Sequence, residues 1–288
     1  MAARRFAITA SDRYMGVFEA FLQKGWEPVK LFAAPTDERV HNHKGVLARA
    51  AELKIDIQMS RMTERDLADL GARGCDLLVV ASYQWRIGNW SAHLPHAVNF
   101  HPAPLPAYRG PYPLVWGILD QQTRWGTTCH KVAAEFDTGD ILAQRCFDMS
   151  ADETHESLDL KTQMATKRLA HEVAGHFDAL WANAQPQGPG HYAHLWTEAQ
   201  RTIDFNESAE QIKRQLRAFG RWECVAMVNQ VVLHVQSAVA WTETHQFKPG
   251  EVVHNDGQRF VLACRDGFVG LLQWSLLAPG VLTGTPER

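Results

Sequence analysis

Two polar side chains with catalytic potential stand two residues apart, directly after a short apolar run. The run Ala97–Val98 leads into Asn99 and His101, and Asp137 follows 38 residues after Asn99. A side-chain amide can donate to an oxyanion, and an imidazole can act as a general acid or base. A nearby carboxylate can raise the pKa of the histidine and hold its tautomer. These residue types indicate a reaction that builds negative charge on an oxygen and moves a proton.

Each of these residues also has an ordinary structural explanation. An Asn-x-His pair after a strand is more often a turn-capping arrangement than a catalytic pair. Asp137 and Asp140 around Thr138–Gly139 fit an Asx-turn between two strands. The stiff segment "PAPLPAYRG" (102–110) that follows the pair favours the catalytic interpretation, because its prolines pre-organise a loop beside it.

The elements that must position these residues alternate between strand and helix patterns. Apolar runs predict strands, and apolar residues at helical spacing predict helices. The predicted strands are 5–10, 29–34, 55–59, 76–82 and 97–100, and the predicted helices between them are 14–24, 45–53 and 64–70. This alternation predicts an α/β fold with a Rossmann-like, open and mostly parallel sheet. Ligands bind beyond the carboxyl ends of such strands, where residues 83–86 and 99–101 both fall.

The second half of the chain changes character after a linker. Helix 113–119, strands 126–133 and 140–149, and a long amphipathic helix over 153–182 complete the first part. After about residue 201, a helix over 208–218 precedes short alternating runs separated by turn signals, which is typical of a small β-barrel. The sequence thus predicts a catalytic domain over 1–182, a Gly- and Pro-rich linker over 183–200 and a second domain over 201–288.

Composition and charge narrow the class of protein. The 288 residues are 45% apolar and 21% charged, with a net charge of −3, as in a soluble globular enzyme. No stretch approaches the ~20 apolar residues of a membrane span, and the first residues run directly into a strand rather than a signal peptide. The charge gives no general attraction to nucleic acid or to an anionic membrane. We expect a protein with no membrane partner.

The cysteines and histidines give no clear metal signal. Five scattered cysteines without a CxxC pair indicate neither a zinc site nor a disulfide framework, so a reducing cytoplasm is the expected location. The triplet "HNH" (41–43) has the ligand type of a metal site but no acidic or cysteine cluster beside it. We expect a polar surface loop there and no metal.

The motifs together resemble those of a known family. Asn99, His101, the loop "LPAYRG" (105–110) and the segment "DTGDIL" from Asp137 resemble the folate-dependent formyltransferases that use N10-formyltetrahydrofolate. The similarity is to methionyl-tRNA formyltransferase and to the UDP-amino-sugar N-formyltransferases, and it spans nearly the whole chain. It implies the formyltransferase fold with an OB-like β-barrel at the C-terminal end, and it implies N10-formyltetrahydrofolate as co-substrate.

The resemblance also assigns residues. It implies Asn99 as the oxyanion donor, His101 in acid–base work and Asp137 as the partner that helps to pass protons. The implied folate-binding residues lie in two segments: Gln84, Trp85, Arg86 and Ile87 in one, and Ala134, Glu135, Phe136 and Asp140 in the other. The implied acceptor loop comprises Leu105, Pro106, Tyr108, Arg109 and Gly110.

Two departures from the family pattern concern the acceptor. The usual serine of the acceptor loop is Ala103 here, followed by Pro104, so a hydroxyl that could bond substrate is missing. The segment "APTDERVHNHKG" (34–45) is short and mixed in charge, whereas methionyl-tRNA formyltransferases usually carry a longer basic loop at this place. Both departures bear on the acceptor more than on the formyl chemistry.

The charge balance of the C-terminal part favours a small acceptor. From Arg201 onward, nine basic residues face nine acidic ones, so there is no overall basic track for the phosphates of a tRNA. Lys213, Arg214, Arg217 and Arg221 lie on one predicted helix, where a solvated face is the simpler explanation. We therefore predict a small-molecule amine, either a nucleotide-linked amino sugar or a hydroxyornithine-type siderophore precursor.

Three alternatives stay open from the sequence. Initiator tRNA is the second candidate acceptor. A formyltetrahydrofolate hydrolase would use the same three residues, although such enzymes usually carry an additional N-terminal domain. A non-enzymatic folate-binding protein is disfavoured because Asn99, His101 and Asp137 are all present. The sequence leaves a homodimer open.

Overall fold

The computed structural model describes residues 3–34 and 42–276, and its first part is built on a seven-stranded sheet. The strands are β1 (Arg5–Thr9), β2 (Glu27–Phe32), β3 (Asp56–Gln58), β4 (Leu77–Val80), β5 (His96–His101), β6 (Arg124–Lys131) and β7 (Ile141–Asp148). Their order is β3-β2-β1-β4-β5-β6-β7. Pairing is parallel from β3 to β5 and antiparallel for β6 and β7. The predicted open, mostly parallel α/β sheet is confirmed.

Helices cover both faces of this sheet. They are α1 (Met15–Gln23), α2 (Lys44–Glu52), α3 (Glu64–Ala72), α4 (Pro113–Leu119), α5 (His155–Gly175) and α6 (Phe177–Ala182). Successive residues of β1 point to opposite faces: Phe6 and Ile8 pack with the α1 and α5 side chains, while Ala7 packs on the other side with Leu67 of α3. The strands are therefore buried on both sides, as a parallel sheet requires.

The single helix predicted over 153–182 is wrong, because the chain breaks between α5 and α6. His176 has a non-helical conformation at φ −128° and ψ 27°. The indole of Trp26 donates to the carbonyl of Ala174 at 3.0 Å, which occupies an acceptor near the end of α5. Phe177 then packs edge-on against Trp26 at a ring distance of 5.5 Å. Tertiary packing overrides the helical pattern here, because periodicity carries no information about these contacts.

The C-terminal part is an antiparallel β domain led by a helix. Its helices are α7 (Glu198–Arg201) and α8 (Ala209–Phe219), and its strands are β8 (Cys224–Val228), β9 (Val231–Thr242), β10 (Val252–Asn255), β11 (Phe260–Cys264) and β12 (Gly267–Ser275). The strand order is β10-β11-β12-β9-β8. The expected β domain is confirmed; among the described residues no ladder joins β10 to β8. Strand β8 was not expected, because it enters β9 through Asn229 and Gln230, both at positive φ, without a glycine to signal the hairpin.

The two parts share one apolar core. Leu114 and Ile118 of α4 and Leu158 of α5 pack in the same cluster as Ile212 and Phe219 of α8. Arg217 of α8 also donates to the carbonyl of Glu153 at 2.8 Å. The division at residues 182 and 201 therefore stays a prediction.

The expected surface loop at 41–43 falls partly outside the described residues, since His41 and the segment 35–40 are not described. His43 is 7% exposed and precedes α2, and burial lowers its pKa. No described group of three or more His, Cys, Asp or Glu side chains is arranged to hold a metal ion. No helix within 3–34 and 42–276 is both long and apolar enough to span a bilayer.

The packing of α4 against β6 is testable at Gly117, where an added Cβ would lie 2.4 Å from the fully buried indole of Trp125. Alanine favours a helix by about 1 kcal/mol over glycine, but overpacking a rigid core costs about 1–3 kcal/mol. We expect Gly117→Ala to lower the free energy of unfolding, measured by urea denaturation. Gly88→Ala, with no atom within 4 Å of the new Cβ, is the control and should stay within about 0.5 kcal/mol of wild type. An unchanged Gly117→Ala protein would contradict this packing.

Candidate active site

Three polar side chains lie on one face of two paired strands at the carboxyl edge of the sheet. Asn99 and His101 are two residues apart on β5, so both point the same way. On the antiparallel neighbour β6, His130 stands directly opposite Asn99. Asn99 Nδ2 lies 3.1 Å from His130 Nε2. The pairing of the strands therefore brings a second histidine into the site.

Asp137 reaches this face from the connection between β6 and β7. Its Oδ1 accepts a hydrogen bond from Asn99 Nδ2 at 3.0 Å, and its Oδ2 accepts one from the backbone N–H of Gly110 at 2.9 Å. The residue is 9% exposed and has a left-handed backbone at φ 57°. Two residues later only glycine fits, because a Cβ at Gly139 would lie 1.9 Å from the carbonyl oxygen of Lys131. This tight turn aims the carboxylate inward.

Backbone carbonyls set the tautomers of both histidines. His101 Nε2 lies 2.8 Å from the Tyr108 carbonyl, and His130 Nδ1 lies 2.8 Å from the Lys131 carbonyl. A carbonyl only accepts, so each of these nitrogens carries the hydrogen. The remaining nitrogens, His101 Nδ1 and His130 Nε2, each lie 3.4 Å from Asp137 Oδ1. A proton added to either imidazole therefore lands beside the carboxylate.

Burial and the interactions with neighbouring groups shift the pKa values of Asp137 and His101 in opposite directions. Burial by itself would raise the pKa of the Asp137 carboxyl, but His101, His130 and the Gly110 N–H hold that pKa well below its usual value. Burial lowers the pKa of His101, and the Asp137 carboxylate only partly offsets this. The site thus combines an ionised carboxylate with a buried neutral imidazole.

The predicted acceptor loop, residues 105–110, is held tightly. The N–H of Leu105 donates to Thr128 Oγ1 at 3.1 Å, and the hydroxyl of Tyr108 donates to Asp120 at 3.0 Å. Leu105 and Tyr108 are buried, Pro106 and Gly110 are half-buried, and the Arg109 guanidinium contacts Gln187 Oε1 at 2.9 Å. Ala103, the departure from the family serine, is fully buried within the apolar core. A hydroxyl at that position would lie in the core rather than in an open cleft.

The two predicted folate-binding segments meet beside this site. Arg86 lies 3.4 Å from the Glu135 carboxylate and stacks over the Phe136 ring at 5.3 Å. Phe136 is 47% exposed, a large apolar surface next to Asp137. Gln84 and Ala134 are exposed, Trp85 packs edge-on against Tyr83, and Ile87 is half-buried against the core. Asp140 instead pairs with Lys131 at 3.2 Å.

Sequence reasoning missed two residues that touch this cluster. Alternation along β6 does not by itself indicate His130, because its place opposite Asn99 follows from the register between β5 and β6. Gln187 donates to the carbonyls of Asp137 and Gly139 at 3.0 and 2.6 Å. It lies in the segment expected to be a linker, and no local pattern signals it.

Comparison with known proteins identifies two matching family models. The formyl transferase model matches residues 9–174, and the model of the formyl transferase C-terminal domain matches residues 196–278. The first match contains Asn99, His101 and Asp137. Together the two models cover both parts of the fold.

The sequence identity to individual relatives is low. A methionyl-tRNA formyltransferase of Hahella chejuensis (strain KCTC 2396) is 26% identical over 280 residues, which is 93% of this chain and 87% of that protein. HypX from Aquifex aeolicus in complex with tetrahydrofolic acid is similar in structure, with a TM-score of 0.65 and 19% identity. The similarity covers 94% of this chain but only 44% of HypX.

A second solved structure matches along its whole length. The N-formyltransferase from Helicobacter canadensis, in complex with folinic acid and dTDP-3-aminofucose, has a TM-score of 0.66 and 15% identity. The match covers 95% of this chain and 100% of that protein. At these identities the structural matches show a shared fold.

The tautomer and pKa of His101 can be measured directly. We expect neutral His101 to carry its proton on Nε2, and we expect its pKa to lie below the usual value of about 6.5 because the ring is buried. Asp137→Asn removes the carboxylate that raises this pKa, so the pKa should fall further. A pH titration of ¹⁵N-labelled imidazoles by NMR, assigned through His101→Gln, gives both quantities. A pKa that rises in Asp137→Asn would contradict the geometry.

Proposed function

Because this chain belongs to the formyl transferase family, we propose that it transfers the formyl group of N10-formyltetrahydrofolate to the amine of a small acceptor. The acceptor class we propose is a nucleotide-linked amino sugar or a hydroxyornithine-type siderophore precursor. The observation that carries the reaction is the buried cluster in which Asp137 Oδ1 lies 3.0 Å from Asn99 Nδ2 and 3.4 Å from His101 Nδ1.

The proposed reaction sets two tasks for the chain. The acceptor nitrogen bonds to the formyl carbon, the bond from that carbon to N10 breaks, and the proton lost by the amine ends on N10. While the amine attacks, negative charge builds on the formyl oxygen. The chain must therefore stabilise that oxygen and carry one proton between two nitrogens. Amide, imidazole and carboxylate groups suffice for both tasks, and the proposal invokes no metal.

Asn99 is the proposed donor to the formyl oxygen. Two acceptors, Asp137 Oδ1 and His130 Nε2, orient its amide. Because both accept from Nδ2, the amide nitrogen and not the amide oxygen points into the cluster. The charged oxygen competes for an N–H of this amide with the neutral nitrogen of His130, which is the weaker acceptor. Loss of one such donor costs about 10²–10³ in rate in other enzymes.

His101 and Asp137 are the proposed proton carriers. The free nitrogen of neutral His101 is Nδ1, which faces the Asp137 carboxylate at 3.4 Å. A proton taken from the amine is therefore stabilised between the two groups before it passes to N10. Because the pKa of Asp137 is held low, the carboxylate stays ionised at neutral pH and keeps this position attractive for a proton.

The chemistry of the neighbouring cleft fits the folate co-substrate. We propose that residues 84–87 and 134–136, together with Asp140, hold it. The exposed ring of Phe136 offers apolar surface for a flat pterin, and Arg86 offers a cation for the carboxylates of the folate tail. We propose that the backbone of residues 84–87 forms hydrogen bonds to the pterin. The second segment runs directly into Asp137, which supports a bound folate whose formyl group lies beside the catalytic cluster.

The structure of α8 supports a small acceptor over a tRNA. Arg217 already donates to the Glu153 carbonyl, and Lys213 lies 3.5 Å from Glu210. Two of the four basic residues on this stretch are therefore engaged within the chain. With equal numbers of acidic and basic residues after Arg201, a track for phosphates is poorly supported.

Initiator tRNA remains the second candidate, on one specific observation. The relative of Hahella chejuensis bears the name methionyl-tRNA formyltransferase and matches 93% of this chain. The family models also include the C-terminal domain. A third reaction, hydrolysis of the formyl group without an acceptor, uses the same cluster.

Substitutions in the cluster should lower turnover without removing folate binding. We expect Asn99→Ala, His101→Ala and Asp137→Asn each to reduce kcat by about 10²-fold or more, because each removes a donor or a proton carrier. Affinity for a folate analogue, measured by calorimetry, should change little. The control is Asp148→Asn, which neutralises an exposed carboxylate on β7. Near-native turnover in any of the three variants would refute the role given to that residue.

The acceptor can be identified by following tetrahydrofolate release spectroscopically. We expect no release from N10-formyltetrahydrofolate alone and release with one member of a panel of nucleotide-linked amino sugars and hydroxylated ornithine. Charged initiator tRNA is tested in parallel as the second candidate acceptor. Tetrahydrofolate release with the tRNA alone would identify it as the acceptor and would refute the small-molecule proposal. Release without any acceptor would establish the hydrolase instead.

A further inference from the structure

The segment expected to be a linker forms a strap across the active site. We use the name strap for residues 185–193. The N–H of Arg109 donates to the His191 carbonyl at 3.0 Å, and the N–H of Ala193 donates to the Arg109 carbonyl at 2.6 Å. The Tyr192 hydroxyl donates to the Phe136 carbonyl at 2.8 Å. A Cβ on Gly190 would lie 2.0 Å from the Pro106 carbonyl oxygen, so the strap lies directly on the acceptor loop.

One side chain of the strap joins the two segments that surround the Asp137 carboxylate. Gln187 Nε2 donates to the backbone carbonyls of Asp137 and Gly139, at 3.0 and 2.6 Å. Gln187 Oε1 accepts from Arg109 Nε at 3.2 Å and from Arg109 Nη2 at 2.9 Å. All hydrogen-bonding groups of this amide are therefore in use.

These contacts involve a left-handed backbone conformation at Asp137 itself. Asp137 has φ 57°, a conformation that side-chain-bearing residues seldom adopt unless the surroundings hold it. Gln187 ties down its carbonyl and the carbonyl two residues later. On the other side, the same amide holds Arg109, whose neighbour Gly110 supplies the N–H that binds Asp137 Oδ2 at 2.9 Å.

We propose that Gln187 is a positioning residue that fixes Asp137 against the N–H of Gly110 and His101 through its hydrogen bonds to Asp137, Gly139 and Arg109. This inference rests on the proposed function, because Asp137 matters for rate only if it carries protons in formyl transfer. Gln187 acts through Asp137 and does not itself touch the reacting atoms. The strap is thus part of the active site rather than a spacer.

Two substitutions separate the contacts that Gln187 makes. Gln187→Met keeps the length and removes every hydrogen bond. Gln187→Glu keeps an acceptor for Arg109 but replaces the donor to the two carbonyls with a charged oxygen. Gln185→Met is the matched control, since the exposed amide of Gln185 donates to the carbonyl of its neighbour Asn183, at 2.7 Å, and not to the turn at Asp137.

We expect both Gln187 variants to lose between about tenfold and a hundredfold in kcat, because small displacements of a catalytic group cost rates of this order. KM for N10-formyltetrahydrofolate should stay within about twofold, and Gln185→Met should match wild type. In addition, hydrogen exchange of the Gly110 amide should accelerate in both Gln187 variants and not in Gln185→Met. That measurement needs no turnover.

The outcomes separate this inference from the proposed function. Wild-type kcat in Gln187→Met with unchanged Gly110 exchange would overturn the positioning role, whatever happens to thermal stability, while leaving formyl transfer intact. Wild-type kcat and unchanged Gly110 exchange in Gln187→Glu alone would assign the effect to the bond with Arg109 and overturn the role given to the bonds with Asp137 and Gly139. If wild type transfers no formyl group to any acceptor, the proposed function fails, and the exchange measurement still decides whether Gln187 holds the turn.

Discussion

The candidate active site depends on a carboxylate that is nearly buried and still charged. An ionised group leaves water only when other groups replace its hydrogen bonds. For Asp137 the replacements are the amide of Asn99, which donates to Oδ1, and the N–H of Gly110, which donates to Oδ2. They come from β5 and from the loop after β5. The fold must bring these segments together before Asp137 can remain charged, so the geometry of the site is a condition of its electrostatics.

This constraint also explains why the histidines are arranged as they are. In each imidazole, one nitrogen donates a hydrogen bond to a backbone carbonyl and the other nitrogen faces Asp137. Burial disfavours a charged ring at His101, whereas the carboxylate favours one. The balance leaves the ring neutral but places its free nitrogen where an incoming proton meets a negative charge. A proton therefore has a defined position between two nearly buried side chains.

The sequence predicted the parts of this site that local pattern controls. Alternating strands and helices predicted the parallel sheet and its carboxyl edge, and the two-residue spacing put Asn99 and His101 on one face. Helix α4 was expected over 113–119 and spans the same residues. Local pattern could not supply His130, because its place follows from the register between β5 and β6. Nor could it supply Gln187, since a segment rich in Gly and Pro shows only that no helix or strand forms there, not what it packs against.

The contacts of the C-terminal part tie it to the same loop. Beyond Gly110 the chain continues to Tyr112, whose ring packs against Trp196 and Trp222 at 5.3 and 4.8 Å. The indole of Trp116 donates to the His194 carbonyl at 2.7 Å, and Tyr108 packs on Trp125 from the other side. The loop that carries the Gly110 N–H is therefore held between the sheet, the strap and the start of the C-terminal part. Because Asp137 relies on that N–H, the packing of the C-terminal part affects the position of the charged group, and these contacts brace the loop 105–110.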